Sequence, residues 1–329
     1  MQSNPETVLR IGVIGAGAHS RIHHLPALAR YRDDFPETIR LVALCDRDSA
    51  RAESQAAKFG FEQAFTDIEP FLSEAQADAI VAITPVPITA AIARRLIEYG
   101  RPFLMEKPPA EKLEDGLALL ELQQRTGVPV MVSMNRRYDP AFRAIQELID
   151  GRAIHRAEAS FLRVKRTDPD FLFSTAIHLL DTLHAACGSI REQHFQGNDP
   201  SDPRKGRLDI QFENGAVGEV TINPYSGHHE ESYRFEGSDF TASFQAGGQR
   251  FAESGSWMFE EKGSKHPSRS FHPEAPPPVY VADGAWNETI AFIAMARREQ
   301  GPYPGLEEAV ASLKSALDLS KMADPDFVS

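Results

Sequence analysis

Gly15-Ala16-Gly17-Ala18-His19-Ser20 follows directly on the apolar run Leu9-Arg10-Ile11-Gly12-Val13-Ile14, and Asp46 closes the next such run, Ile39-Arg40-Leu41-Val42-Ala43-Leu44-Cys45. A strand that feeds a glycine turn and then a helix offers free N–H groups to a pyrophosphate. Gly15 permits the tight turn, and Gly17 lets phosphate oxygens approach the backbone. Ser20 takes the third small position, normally Gly or Ala. Asp46 is placed to accept hydrogen bonds from the adenosine ribose hydroxyls, and Arg47 beside it can stack on adenine or soften the negative charge. Together these features point to a bound nicotinamide dinucleotide, NAD rather than NADP, because Asp46 would repel a 2′-phosphate. The alternative is a structural turn with a helix-capping aspartate.

Other residues carry chemistry of their own. Glu106-Lys107-Pro108 ends the run 101–107. Ligand-facing groups belong at the carboxyl end of a parallel strand, and a stiff proline after Lys107 fixes the direction of the lysine. In a helix read at 174–187, Ser174, His178 and Asp181 stand at i, i+4 and i+7 and share one face. Arg163, Lys165 and Arg166 end a long strand at 155–165, where they meet an acidic or hydroxylated substrate or form a solvated basic edge. His228 and His229 have no partner at metal-ligand spacing and would point to opposite faces of a strand, so no metal is expected. No nucleophile elbow, P-loop or helical His-Glu metal motif occurs.

These residues need a frame. Short β-rich runs at 9–15, 39–46, 63–67, 78–84, 101–107 and 128–135 alternate with helical patterns at 20–31, 48–59, 88–99 and 111–126. That rhythm predicts a doubly wound parallel sheet over residues 1–137, with its ligand at the carboxyl ends of the strands. The pattern then changes. A helix at 140–150, the strand at 155–165 and the helix at 174–187 precede strands at 190–196, 207–213, 216–223, 230–236 and 239–245. Asn214-Gly215 predicts a two-residue hairpin turn between antiparallel neighbours. Residues 247–285, with Pro276-Pro277-Pro278, read as a long loop with short strands, and helices at 285–299 and 306–321 close the chain. Residues 138–329 therefore read as an α+β domain with a largely antiparallel, open-faced sheet.

The chain has 329 residues, 42% hydrophobic and 25% charged, which is ordinary for a two-domain globular protein. A net charge of −12 argues against general binding to nucleic acid or anionic membranes. No apolar run approaches the ~20 residues that span a bilayer. The segment Met1–Thr7 has neither the basic region nor the apolar core of a signal peptide. Cys45 and Cys187, the two cysteines, lack metal-type spacing and fit a reducing cytoplasm.

The set of motifs resembles the Gfo/Idh/MocA family of NAD(P)-dependent oxidoreductases, across essentially the whole chain. It is carried by the glycine turn, Thr84-Pro85, Glu106-Lys107-Pro108, Asn135-Arg136-Arg137-Tyr138-Asp139-Pro140 and His178-Leu179-Leu180-Asp181. The resemblance implies hydride transfer between nicotinamide and a secondary alcohol or ketone of a sugar, cyclitol or related polyol. Lys107 would bond the substrate oxygen beside the nicotinamide, since a cationic lysine favours the developing alkoxide. The resemblance also implies a cis Lys107–Pro108 bond. Glu106, Asn135, Thr84 and Pro85 join the glycine-turn residues at the cofactor. A homodimer or homotetramer would form through the open sheet face.

His178 would assist Lys107, but family members commonly carry an aspartate four residues earlier, where this chain has Ser174. Serine can relay a hydrogen bond, yet it cannot stabilise an imidazolium as a carboxylate does. Family members also often have Asn and His at the positions of Pro87 and Thr89, so Thr84–Pro87 would bind through backbone and shape. Two other readings stay open: redox-neutral elimination or glycoside cleavage assisted by bound NAD, and a dinucleotide-binding sensor without catalysis.

Overall fold

The computed structural model describes residues 8–247, 255–263, 268–275, 277–299, 301 and 303–327. Met1–Thr7 and Pro276, which entered the reading above, lie outside them. The chain forms two compact units. One takes the chain up to Ser133 together with Ala285–Val310, and the other takes Met134–Gly284 and the chain from Ala311 onward.

The first unit runs β1 (Leu9–Ile14), α1 (Ala18–Ile22), α2 (His24–Asp34), β2 (Ile39–Cys45), α3 (Ser49–Phe59), β3 (Gln63–Phe65), α4 (Ile68–Glu74), β4 (Ala79–Ala82), α5 (Val86–Tyr99), β5 (Phe103–Met105), α6 (Leu113–Thr126) and β6 (Val130–Val132). Its six strands are all parallel, in the order β3-β2-β1-β4-β5-β6. Such a sheet is covered on both faces, which is why β2 buries every residue but Arg40 and β4 buries all four. The helix expected at 20–31 is broken at His23 (φ −114°, ψ −64°) into α1 and α2. The helix α4 went unread because it is too short to show a period. Asp67 caps it by accepting the Glu69 N–H, and Phe71 and Leu72 anchor it.

The second unit begins with a 3-10 turn at Asn135–Tyr138. It continues through α7 (Pro140–Ile149), β7 (Ile154–Leu162), a π turn at Phe171–Thr175, α8 (Ile177–Cys187), β8 (Ile190–Gly197), β9 (Gly206–Phe212), β10 (Val217–Asn223), β11 (Glu230–Gly237), β12 (Phe240–Gln245), β13 (Trp257–Glu261), β14 (Ser268–Phe271) and α9 (Val279–Ala282). The eight strands run β14-β13-β12-β11-β7-β10-β9-β8, antiparallel except for the β7–β10 pair. Alternating burial along β7 leaves one face to α8, with α7 packed farther along the sheet on β12 and β13, and the other to Glu158 and Ser160. Under the covered face, Tyr233 and Phe244 stack at 4.7 Å and Phe142 packs on Phe244 at 5.3 Å.

Three local expectations are corrected. The Asn214-Gly215 hairpin has a three-residue loop, because only Gly215 of the pair takes a positive φ (+89°), whereas the two-residue turn needs both. Asn214 instead accepts the Ala216 N–H and donates to the Cys187 carbonyl. Ser174 does not share an α-helical face with His178. It lies in the π turn, whose wider coil buries three successive residues, Phe171, Leu172 and Phe173, before α8 begins. Arg163 is not on a sheet edge, since β7 lies between β11 and β10.

The closing helices are α10 (Ala285–Ala296) and α11 (Leu306–Ala323). The boundary read at 137/138 shifts, and Ala285–Val310 returns to the first unit. The return is built from long-range contacts. Trp286 lies under the guanidinium of Arg30 at 4.2 Å, Ser133 donates to the buried Glu288, and Val132 donates to the carbonyl of Pro304, covering the edge of β6. No helix among the described residues is long and apolar enough to cross a membrane.

Candidate functional site

In the first unit the glycine turn connects β1 to α1. Gly15 has φ +97°, and a Cβ there would lie 2.0 Å from the carbonyl oxygen of Ile83, so no other residue fits. A Cβ on Gly17 would meet nothing within 4 Å. The backbone is open there, as a close phosphate requires. Ala18 and His19 are exposed beside it, while Ser20 is fully buried at the third small position and its hydroxyl finds no protein partner among the described residues.

Asp46 sits just past β2 and is tied to the turn. It accepts the Ala16 N–H at 2.8 Å and the Asp48 N–H at 3.0 Å, and it pairs with Arg51 at 2.7 Å. Burial alone would raise its carboxyl, but Arg51 and the two N–H groups outweigh that and hold it below the ordinary carboxylate value. An ionised acceptor at the end of the second strand is what a ribose diol needs. Arg51, in the first turn of α3, was not singled out from the sequence; its spacing from Asp46 carried no signal without the fold. Arg47 is exposed. Thr89 turns its hydroxyl to Thr84 and to the carbonyl of Pro85, closing the start of α5 on itself.

At the end of β5, Glu106 is 6% exposed and Lys107 half-buried, and the Lys107–Pro108 bond is cis. Glu106 is flanked by two imidazoles, His24 Nε2 at 3.0 Å and His19 Nε2 at 3.1 Å. Burial would raise its carboxyl, yet the imidazoles hold it well below the ordinary value. Burial lowers His24, against the raising influence of Glu106.

The second unit gathers the rest. Glu231, fully buried, takes Arg136 at 2.9 Å, the Tyr233 hydroxyl at 3.1 Å and a short bond from Arg163. Arg163 also donates to the carbonyls of Leu162 and Glu230 and stacks over Phe161. These bonds tie Arg163 to β7 and β11. Asp181, likewise fully buried, takes both ends of Arg137 at 2.8 Å and the Ser312 hydroxyl at 3.0 Å, which anchors α8. His178 and Ser174 are half-buried, and Asn135 is 8% exposed. The structure thus joins Asp46 to the glycine turn and His19 to Glu106, whereas it separates Ser174 from the helical register of His178.

A six-stranded parallel sheet with an obligatory glycine after its first strand and an ionised aspartate after its second defines an NAD-binding Rossmann protein. Residues 9–134 match the family model described as oxidoreductase family, NAD-binding Rossmann fold. That model is the one for the Gfo/Idh/MocA oxidoreductases, and the match is confined to this part of the chain. It is 32% identical over 161 residues to inositol 2-dehydrogenase of Rhizobium meliloti, covering 49% of this chain and 46% of that protein. It is 34% identical over 140 residues to D-apiose dehydrogenase of Paraburkholderia graminis, covering 42% and 36%. The chain spans less than half the length of these two curated relatives. Among solved structures, levoglucosan dehydrogenase in complex with NADH superposes with a TM-score of 0.80 at 19% identity, over 97% of this chain and 98% of that one. At that identity the likeness is one of fold.

Proposed function

We propose that this protein is an NAD-dependent oxidoreductase acting on a secondary alcohol or ketone of a sugar, cyclitol or related polyol. The observation that carries the reading is Lys107. It is a half-buried amine at the carboxyl end of a parallel strand, next to an ionised carboxylate, in a unit whose glycine turn and Asp46 suit a dinucleotide. The relatives named dehydrogenases of inositol and apiose support the polyol class.

Bound NAD would supply the hydride acceptor or donor. The turn from Gly15 to Ser20 would hold its pyrophosphate and Asp46 its adenosine ribose. Lys107 acts on the substrate. Its Nζ, as the neutral amine, takes the hydroxyl proton as the alcohol is oxidised; the ammonium so formed bonds the developing alkoxide oxygen and returns the proton in the reverse direction. The resemblance gives His178, in the second unit, an assisting role. Buried, free Cys45 and Cys187, their thiols pushed up to about 11 and about 12 by burial, suit a reducing compartment such as the cytoplasm. The polar outer face of the eight-stranded sheet is the assigned surface for a homodimer or homotetramer; a monomeric mass by light scattering would remove that assignment.

Cofactor choice follows from Asp46. Its charge, half-compensated by Arg51, repels a 2′-phosphate, so NAD is expected to bind about ten-fold or more tighter than NADP. Titration of both cofactors by intrinsic fluorescence or calorimetry reads this directly, and tighter binding of NADP would refute it.

A further inference from the structure

The carboxylate next to Lys107 has a geometry that hydride transfer does not call for. Nε2 of His19 and Nε2 of His24 both approach Oε1 of Glu106, at 3.1 and 3.0 Å, and the three potential ligand atoms lie within 4.8 Å of one another. The two rings stand edge-on, with centroids 5.5 Å apart. On an unbroken helix, residues five apart project roughly 140° from each other and cannot converge. Here the break at His23 between α1 and α2 turns both imidazoles onto one oxygen. The ligand atoms come from two distant stretches of chain, residues 19–24 and the end of β5, so their convergence is set by the fold and not by one flexible segment.

We propose that His19, His24 and Glu106 form a binding site for one zinc-class divalent cation. An ion bonded at ~2.0–2.1 Å to two ligands at a tetrahedral angle needs them roughly 3.3 Å apart, close to the two histidine–carboxylate separations. Two imidazole nitrogens and one carboxylate oxygen suit Zn²⁺ or Co²⁺, whereas Mg²⁺ and Ca²⁺ call for shells of oxygen. Glu106 and His24 are buried, and His19, with 46% of its side chain exposed, lies on the solvent side. That leaves the fourth position for water and gives the ion its way in. Sequence spacing hid the site, because its carboxylate lies 82 residues from His24.

The test uses the full chain stripped with chelator and titrated with Zn²⁺ by calorimetry, with Mg²⁺ as the control, in the absence of any dinucleotide. One zinc per chain, no response to Mg²⁺, and a visible spectrum of four-coordinate Co²⁺ are expected. His19→Ala, at a side chain 46% exposed, should weaken zinc binding by well over ten-fold. Glu106→Gln should do the same, provided its thermal melt matches the wild type. Absence of stoichiometric binding, or an unchanged affinity in His19→Ala, overturns the proposal. Because no cofactor is present, neither result depends on whether the protein binds NAD.

Discussion

Replacing Lys107 by alanine is expected to cut turnover on the true substrate by about two to four orders of magnitude, the usual worth of a positioned acid or base. The loss should fall on kcat, because the amine is needed most where charge develops on the reacting oxygen. Affinity for NAD should change little, since the turn at Gly15–Ser20 and the carboxylate of Asp46 lie on other strands. Stopped-flow hydride transfer and a separate NAD titration measure the two effects. Turnover that survives Lys107→Ala would exclude the mechanism, and loss of NAD binding would show that the substitution disturbs the cofactor instead. If neither the wild type nor the variant turns over any polyol while both bind NAD, the sensor reading, which Ser174 keeps open, becomes the better one.

The second large effect belongs to Glu231. Its carboxylate is fully buried between Arg136 and Arg163 and also accepts from Tyr233. Glu231→Gln leaves two guanidinium groups facing a neutral amide in the interior, which should destabilise the protein by about 3–5 kcal/mol. Burial by itself would raise this carboxyl, but the two arginines outweigh it and bring it to about 2. A carboxyl lowered in the folded state contributes stability above its unfolded value of ~4.3 and loses it as pH falls from there towards 2. Acid unfolding of the wild type should therefore steepen across that interval, and the Gln variant should lack that part of the slope. Chemical denaturation of both proteins from pH 7 to pH 2 reads both numbers; a loss below ~1 kcal/mol would sink the claim.

Elements buried on both sides were legible because their chemistry is local. Five strands of the parallel sheet announce themselves as apolar runs, the exception being the short edge strand β3, and the glycine turn is tied to its position by a steric conflict with Ile83. Lys107 was legible for the same reason: it ends such a run. What escaped depends on partners distant in sequence. Arg51 acquires meaning only once α3 brings it to Asp46, and Glu231 only once β11 lies beside β7. Arg163 read as an edge charge because nothing near it in the sequence announces the carboxylate 68 positions later. Ser174 was misplaced because periodicity assumes an α-helix, while three consecutive buried residues demanded a wider turn.

The return of Ala285–Val310 to the first unit sets a timetable for the nascent chain. When Ser133 leaves the ribosome, all six parallel strands exist, yet Arg30 has no indole to lie on and Val132 has no carbonyl to receive its N–H. The intervening residues take roughly 10–30 s to synthesise at ~5–20 residues per second. For that interval the dinucleotide-binding half waits with the flank of α2 and the edge of β6 uncovered. A fragment ending near residue 137 would remain in that state permanently, whereas one that rejoins 1–133 to 285–310 through a short linker contains every element the half requires.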